Sequence, residues 1–392
     1  MSYKIVIAFI CAPLPFGDAV SRWYFILIRE LVRRGHQVTV FTTYRNATEK
    51  EECLQLFPPE KYDIRLYHAK VGSSFIQKLK TIANPFSQIF SDDLVKDLSL
   101  YLEKKSFDIL HLEDLWAAYL GLNYIHKSLI NVHFLHSIDL AGVEFGGIRG
   151  SIDRYMMFSA EQRLIQKCHF FTSVTPPIAQ RICAINPNAK VQSIGLAMDL
   201  SQYQYQEQVI EDRPPIISLI GSMNWFPTYS AACQLLLNIW PQVKQQIPDA
   251  QLQIVGRAAK SSLQDFLNLP DVTIEENVPD IEPYFRKSSI FVYMPTQGSG
   301  IKIKVAEALA WGIPIVTNEH GVEGLEVEDG IHLNVCNSNE DAISRILDLL
   351  SDRDLCVKQV RAGRKLFEEQ YSSTIVVDKL EDVYRKISQE KL

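Results

Sequence analysis

The stretch QGSGIKIKVAEALAWG, residues 297–312, places small residues, two lysines and one glutamate around the predicted start of a helix. Exposed N–H groups and the helix dipole favour anions at such a start, and Gly298 and Gly300 would let a phosphate approach the backbone. Lys302 and Lys304 would add positive point charges. The pattern therefore predicts a site for a phosphate-bearing ligand.

Glu307 extends this prediction from a phosphate to a nucleotide. It follows Gly300 by seven residues, which is about 10 Å along a helix at ~1.5 Å per residue. That length suits a nucleoside diphosphate whose phosphates lie at the helix start and whose ribose hydroxyls donate hydrogen bonds to the carboxylate. The apolar residues between Ile301 and Gly312 define one face of the helix, and Lys304 and Glu307 lie away from it. The alternative is a surface Lys304–Glu307 ion pair, which would contribute only about 0.2–0.5 kcal/mol and would leave the glycines unexplained.

Polar residues also follow predicted strands in the first half of the chain. His136 ends the run NVHFLHS, where either a functional histidine or a satisfied strand-end histidine would fit. His133, within the run, is predicted to be structural, and nothing nearby completes a metal-ligand set with the two histidines. Glu113 and Asp114 end the run FDILHLED and could contact an acceptor, although carboxylates in loops are usually solvated caps. Gly17 could allow close approach of a substrate or form a plain turn.

These residues need elements to hold them, and the order of the apolar runs predicts two parallel sheets. Short β-branched and aromatic runs alternate with helical patterns in both halves of the chain, which is typical of α/β domains with helices on both faces of each sheet. The polar stretch 199–215 separates the two sets of strands, so we predict Rossmann-like domains over residues 1–205 and 213–365. The amphipathic tail 373–392 can pack back on either domain. In such folds ligands bind beyond the carboxyl ends of the strands.

Composition excludes several classes of protein. The 392 residues are 47% hydrophobic and 22% charged with a net charge of −6, which argues against disorder and against nucleic acid as a partner. Seven cysteines without a CxxC pair predict reduced thiols and a cytoplasmic location. No apolar run reaches the roughly 18 residues that span a bilayer, and the apolar start leads straight into a predicted helix and strand, unlike a signal peptide. Segment 75–90 could touch the inner membrane face or form a solvated loop and helix.

The block 221–325 resembles the donor domain of the family-4 (group 1) glycosyltransferases. GSMNWFPTYSAACQLLLNIWPQVKQQIPDAQLQIVG (221–256) is similar to its first strand-helix-strand unit, and NVPDIEPYFRKSSIFVYMP (277–295) is similar to its base-binding loop and the strand after it. In the first half, FGDAVSRWYFILIRELVRRGHQVTVFTT and SAEQRLIQKCHFFTSVT resemble parts of the acceptor domain. The likeness covers most of the chain. It implies the GT-B fold, in which two doubly wound Rossmann-like domains face each other across a cleft that holds a nucleotide-sugar.

The resemblance implies roles for individual residues. Glu307 matches the second glutamate of the family's Glu-x7-Glu pattern, which binds ribose, whereas Ser299 stands at the place of the first glutamate. That departure leaves the family's usual contact to the donor sugar open. Lys302, in place of an arginine, and Lys304 would contact the diphosphate, and His136 would lie near the donor sugar and the reacting centre. The other implied residues are Ser299 and Gly300 at the diphosphate, the backbone of Val278 at the base, Gly221, Ser222 and Glu323 elsewhere at the donor, and Gly17 and Glu113 on the acceptor side.

The expected function, as the resemblance implies, is that of a retaining, metal-independent glycosyltransferase. It would move a sugar from a nucleoside-diphosphate-sugar to a hydroxyl of a glycan or lipid-linked acceptor, in surface polysaccharide or glycoconjugate synthesis. No cofactor is expected, since the nucleotide-sugar is a substrate. The formal Asp-x-Asp at Asp352 and Asp354 lies where Ser351 or Asp352 would cap a helix, so no metal is expected there. A nucleotide-sugar epimerase and a non-catalytic partner protein, both of the same fold, are the alternatives.

Overall fold

The computed structural model describes residues 2–16, 19–70, 86, 89–139, 147–195, 197–205, 213–298 and 300–390. The chain forms two compact units, Met1–Met198 with Ser373–Leu392, and Asp199–Ser372. Residues 199–205, which the sequence analysis placed in the first domain, are thus grouped with the second unit. The reason is local: Tyr203 in this segment hydrogen bonds to Glu307 and Arg364 of the second unit.

The first unit is built on a seven-stranded sheet with the order β3-β2-β1-β4-β5-β6-β7, in which every neighbouring pair is parallel. The central strands β4 and β5 are buried along their whole length, as is typical of parallel strands covered on both faces. The strand bounds are β1 Lys4–Ala8, β2 Gln37–Tyr44, β3 Asp63–His68, β4 Ile109–Glu113, β5 Ser128–Val132, β6 Phe170–Ser173 and β7 Lys190–Ser193.

The helices of the first unit include the tail of the chain. The tail helix Ser373–Gln389 packs on the helix Ala19–Arg33 and adds apolar side chains to the first core. Two polar contacts fix its register, because Arg34 donates to Glu381 over 2.7 Å and His36 Nε2 lies 2.6 Å from the same carboxylate. The other helices are Ala47–Leu56, Asp92–Lys104, His136–Asp139, Gly147–Lys167 and Pro176–Ile185, with a 3-10 helix over Leu115–Tyr124.

The second unit is built on a six-stranded sheet with the order β10-β9-β8-β11-β12-β13, also parallel throughout. None of the helices in the described parts of the chain is both long and apolar enough to cross a bilayer. The strands are β8 Ile216–Ile220, β9 Gln251–Gly256, β10 Val272–Glu276, β11 Ile290–Tyr293, β12 Ile315–Thr317 and β13 Asn334–Val335. The α-helices are Phe226–Gln234, Trp240–Gln246, Ala259–Ser262, Glu282–Lys287, Ile303–Trp311, Asn339–Ser351 and Arg353–Gln370, with a π-helix over Leu235–Ile239 and 3-10 turns at Leu200–Gln202 and Gln264–Phe266.

The strand orders confirm the prediction of two parallel α/β sheets and locate the places where ligands bind in such sheets. In the first sheet the order reverses between β1 and β4, and in the second between β8 and β11. Open α/β sheets bind ligands in the crevice beyond the carboxyl ends of the strands at this reversal. Glu113 is the last residue of β4, Gly221 follows β8, and the loop before Ile303 follows β11.

Candidate functional site

The glycine loop, residues 294–302, connects β11 to the helix Ile303–Trp311. Gly298 has φ +139° and Gly300 has φ +81°, conformations that residues with a Cβ rarely adopt. A Cβ on Gly298 would also lie 2.7 Å from Cγ of Pro227, at the start of the helix Phe226–Gln234. The loop therefore lies close against the helix Phe226–Gln234. The helix that follows the loop begins at Ile303, two residues after the start near Ile301 that the sequence predicts.

Lys302 and Glu323 hold this loop from inside the second unit. The Lys302 ammonium is only 4% exposed and lies 3.7 Å from Glu323 Oε2, and it donates to the carbonyls of Gly300 over 2.5 Å and Gly298 over 3.4 Å. The other oxygen of Glu323 accepts the N–H of Gly300 over 3.3 Å. Glu323 thus orients the loop, and Lys302 brings its positive charge to the loop backbone at the start of the helix.

Glu307 is buried, which corrects the expectation that it lies on the outer face of its helix. Its exposed fraction is 1%, and every residue from Val305 to Trp311 is buried. Lys304 Nζ donates to Glu307 Oε2 over 2.6 Å, and the Tyr203 hydroxyl donates to Oε1 over 3.2 Å. Segment 199–205 covers the polar face of this helix, which the sequence pattern predicted to be exposed. A buried carboxylate needs such partners, because burial of an unpaired charge costs several kcal/mol.

The remaining predicted donor-site residues follow strands of the same sheet. Gly221 is buried after β8 and donates its N–H to the Val255 carbonyl over 2.9 Å. Ser222 is half-buried, and so is Val278, which follows β10 after Asn277, a residue with φ +55°. Because β8, β10 and β11 are parallel members of one sheet, the segments after them lie at the same edge as the glycine loop. The structure thus brings these predicted residues to one edge of the second unit.

Glu113, in the first unit, lies beneath the surface rather than on it. Its exposed fraction is 0%, and its carboxylate accepts hydrogen bonds from Trp23 Nε1 and Asn131 Nδ2, each over 2.9 Å. His133 Nε2 lies 2.8 Å and His111 Nε2 3.1 Å from its oxygens. Burial opposes ionisation, but the two histidines outweigh it and hold the pKa of Glu113 well below its usual range. The Glu113 carboxylate thus holds the side chains of Trp23, Asn131 and the two histidines in place.

Asp114 and His133 complete this buried cluster and carry shifted pKa values. Asp114 has a backbone φ of +69° and is 2% exposed, and burial raises its pKa to about 6. Burial lowers the pKa of His133, but the nearby carboxylates of Asp114 and Glu113 outweigh burial and raise it to about 8. His133 was predicted to be structural. No local sequence pattern indicated that Trp23 and Asn131 donate hydrogen bonds to Glu113.

His136 begins a four-residue helix, His136–Asp139, and is half-buried among aromatic rings. The ring centroids of Phe134, Trp116 and Phe86 lie 5.1, 6.0 and 6.3 Å from that of His136. Burial lowers the pKa of His136, so its imidazole is neutral at pH 7 and can donate from one nitrogen and accept at the other.

Glu161, a residue the sequence analysis did not single out, anchors the short helix that carries His136. Its carboxylate accepts the hydroxyl of Ser137 and, over 3.4 Å, the N–H of the same residue. The side chain is 2% exposed, and burial raises its pKa. A carboxylate that caps a short turn in this way limits how far His136 can move.

The remaining predicted positions are a helix cap at Asp352 and several residues that the structure does not describe. Asp352 accepts the N–H of Leu355 over 2.9 Å as the N-cap of the helix Arg353–Gln370, which confirms its capping role. Gly17, Ser299 and nearly all of segment 75–90 lie outside the described residues. Among the residues that are described, no three His, Cys, Asp or Glu side chains are grouped as metal ligands.

Two family models match the chain one after the other. The model described as Glycosyltransferase Family 4 matches residues 20–202, and the model described as Glycosyl transferases group 1 matches residues 214–352. A curated protein of Haemophilus influenzae, described as an uncharacterized glycosyltransferase, is 29% identical over 151 residues, and that match covers 36% of this chain and 42% of the relative.

Solved structures share the fold over nearly the whole chain. WaaG, described as a glycosyltransferase involved in lipopolysaccharide biosynthesis, superposes with a TM-score of 0.68 at 12% identity over 97% of this chain and 99% of its own. HepE from Anabaena, solved with UDP-glucose, superposes with a TM-score of 0.65 at 12% identity over 98% and 100%. At these identities the likeness shows the fold alone, and that fold is GT-B.

The fold and the predicted site at the second sheet therefore define a GT-B protein. Because the two family models together match most of its length, the chain belongs to the group 1, family 4 glycosyltransferases.

Proposed function

We propose that the protein transfers a sugar from a nucleoside-diphosphate-sugar to a hydroxyl of a glycan or lipid-linked acceptor, with retention of configuration and without a metal ion. The observation that carries this proposal is the Lys304–Glu307 pair on the helix after β11, at the strand reversal of the second sheet. A cation and a carboxylate one turn apart suit a ligand with an anionic diphosphate and a hydroxyl-bearing ribose. The nucleotide-sugar bound to HepE gives the donor class independent support.

The chemical step needs stabilisation of the leaving nucleoside diphosphate, on which negative charge develops as the glycosidic bond breaks. Lys304 has a side chain that is 25% exposed, so its ammonium can contact a diphosphate that binds from solvent. The helix N-terminus and the Lys302 ammonium add positive potential at the glycine loop. With this charge supplied by the protein, the proposed reaction requires no divalent cation, and chelation by EDTA should leave the rate unchanged.

His136 is proposed to serve as a neutral hydrogen-bonding group for the transferred sugar. Its lowered pKa means that it binds hydroxyls without adding a charge that would oppose a positively polarised sugar in the transition state. Glu161 positions it through the hydrogen bonds to Ser137. In this role His136 supports placement of the sugar.

The location and pathway follow from the same proposal. All seven cysteines are free of disulfides, which supports a reducing compartment such as the cytoplasm. Peripheral contact with the inner membrane face would bring a lipid-linked acceptor to the enzyme. The involvement of WaaG in lipopolysaccharide biosynthesis supports surface polysaccharide or glycoconjugate synthesis as the pathway.

A donor screen with two variants tests the proposal. UDP-, GDP- and dTDP-sugars are offered to the wild type, to Lys304→Ala and to Glu307→Ala, and released nucleoside diphosphate is measured. Removing the lysine should lower kcat about 10²-fold, the size of effect seen when one donor to a developing anion is lost, and Glu307→Ala should raise the donor KM. If the wild type releases no nucleoside diphosphate from any donor, and calorimetry detects no binding, the transferase proposal fails.

A further inference from the structure

Segment Asp199–Tyr205 is attached to the helix that carries Lys304 and Glu307. Asp199 begins a 3-10 turn, Leu200–Gln202, by accepting the N–H of Ser201 over 3.1 Å. Tyr203 follows this turn and is 6% exposed. The second unit begins at Asp199, so this segment is its first stretch of chain.

Contacts of its backbone, its ring and its hydroxyl hold Tyr203 in place. Its carbonyl accepts NH1 of Arg364 over 2.9 Å, and the same guanidinium also donates to the Ala310 carbonyl at the end of the helix. Its ring meets Trp311 edge-on, with centroids 5.5 Å apart and planes at 73°. Its hydroxyl donates to Glu307 Oε1 over 3.2 Å. The backbone and ring contacts hold the side chain in place, so the hydroxyl has a defined direction toward the carboxylate.

The hydroxyl acts on a carboxylate whose own terminal torsion has no sharp preference. The terminal torsion of a glutamate is broad and roughly two-fold, and Lys304 donates to Oε2 of Glu307 over 2.6 Å. A donor on the opposite oxygen fixes the plane of the carboxylate. A site that must receive ribose hydroxyls gains affinity when its acceptor is oriented before the ligand arrives, because less side-chain freedom is lost on binding.

We propose that Tyr203 is the positioning residue of the nucleotide site and that it orients the Glu307 carboxylate for the ribose of a nucleoside diphosphate. This inference rests on the proposed function. Tyr203 acts through Glu307, so its hydroxyl matters for binding of the nucleotide and not for the bond that breaks. Loss of the hydroxyl raises the donor KM and leaves kcat unchanged.

Tyr203→Phe removes the hydroxyl and keeps the ring against Trp311. Affinity for UDP and GDP is measured by calorimetry, donor KM and kcat by the release assay, and Tm by thermal unfolding. Tyr203→Phe should weaken binding of the nucleotide that the wild type prefers by about 3- to 10-fold, the equivalent of one side chain left to be ordered on binding. The matched control is Tyr205→Phe, which removes the same hydroxyl from a tyrosine whose ring packs under Arg364, with the guanidinium 5.7 Å from the centroid.

A double-mutant cycle with Glu307→Gln separates positioning from general stability. If Tyr203 acts through Glu307, Tyr203→Phe lowers nucleotide affinity in the wild type, has little further effect on affinity in the Glu307→Gln background, and leaves kcat unchanged. If Glu307→Gln weakens binding but Tyr203→Phe does not, or if the two effects add, the positioning role is wrong while the proposed function stands. If Glu307→Gln leaves nucleotide affinity unchanged, the assignment of the ribose site itself fails.

Discussion

Charged side chains in both units are buried together with groups of opposite sign. Glu113 lies between two histidines, and Glu307 lies against Lys304. Removing one partner of such a pair leaves the other buried without compensation, at a cost of about 3–5 kcal/mol. At the residue scale, therefore, stability and site geometry depend on the same side chains.

The pKa of His133 gives a pH prediction. A histidine whose pKa rises from 6.5 to about 8 on folding contributes stability that is fully present below pH 6.5 and is lost as the pH rises through 8. The difference in unfolding free energy between the wild type and His133→Gln should thus be larger at pH 6 than at pH 9, by about 2 kcal/mol. Urea denaturation at both pH values measures it, with His126→Gln, at an exposed histidine, as the control. A difference that does not change with pH would show that His133 is not charged in the folded state.

At the scale of elements, the glycine loop and the helix Ile303–Trp311 form one structural piece. Hydrogen bonds of Gly300 with Lys302 and Glu323 hold the loop at the start of the helix. The helix ends before Gly312, whose φ of +79° is typical of a C-terminal glycine cap. The loop geometry depends on the close approach of Gly298 to Pro227. Nucleotide affinity should consequently be sensitive to bulk at Gly298.

Gly298→Ala tests this dependence. The added Cβ would meet Pro227 Cγ at 2.7 Å, and the φ of +139° is unfavourable for alanine. We expect a loss of about 1–3 kcal/mol beyond that of Gly35→Ala, together with weaker nucleotide binding. Gly35 is the matched control because it has φ +85° and no atom within 4 Å of its missing Cβ. Equal losses in the two variants, measured by urea denaturation, would mean that the loop adapts to the side chain.

At the scale of the whole molecule, the first unit is made of two separate stretches of the chain, Met1–Met198 and Ser373–Leu392. The tail helix Ser373–Gln389 follows the second unit in sequence but contributes six buried side chains to the core of the first: Val376, Val377, Leu380, Val383, Tyr384 and Ile387. Tyr384 also hydrogen bonds to His111, with 2.6 Å between the hydroxyl and Nδ1. The core of the first unit therefore forms fully only after the helix Ser373–Gln389 has been synthesised.

Truncation after Ser372 should unfold the first unit and spare the second. The shortened chain loses the apolar side chains that cover the helix Ala19–Arg33 and leaves Arg34 without Glu381. Limited proteolysis with mass spectrometry should then find cleavage throughout residues 2–198 and protection within 199–372. Truncation after Gln389 keeps the helix and serves as the control. Protection of residues 2–198 in the shorter chain would show that the first unit folds without the tail.

Features that depend on neighbours in sequence could be predicted from the sequence. Alternating strand and helix patterns predicted both parallel sheets, and Ser351 or Asp352 was expected to cap a helix. The Lys304–Glu307 ion pair, which was the alternative to a phosphate site, also follows from their spacing of about one turn. Each of these depends on hydrogen bonds or helical periodicity within a few residues. The position of the site after β11 belongs to the same group, since parallel sheets bind ligands at strand ends.

Only the tertiary structure decided which polar residues are buried and what surrounds them. The sequence pattern left Glu307 on an open face, but Tyr203, 104 residues away, covers it. Glu113 likewise appeared as a strand-end residue, and its partner Trp23 is 90 residues distant. Burial and pKa depend on contacts that form when distant segments pack, and no local pattern of side chains encodes them. The sequence thus determined the elements and the place where a site is proposed, whereas packing determined the environment of the charged residues there.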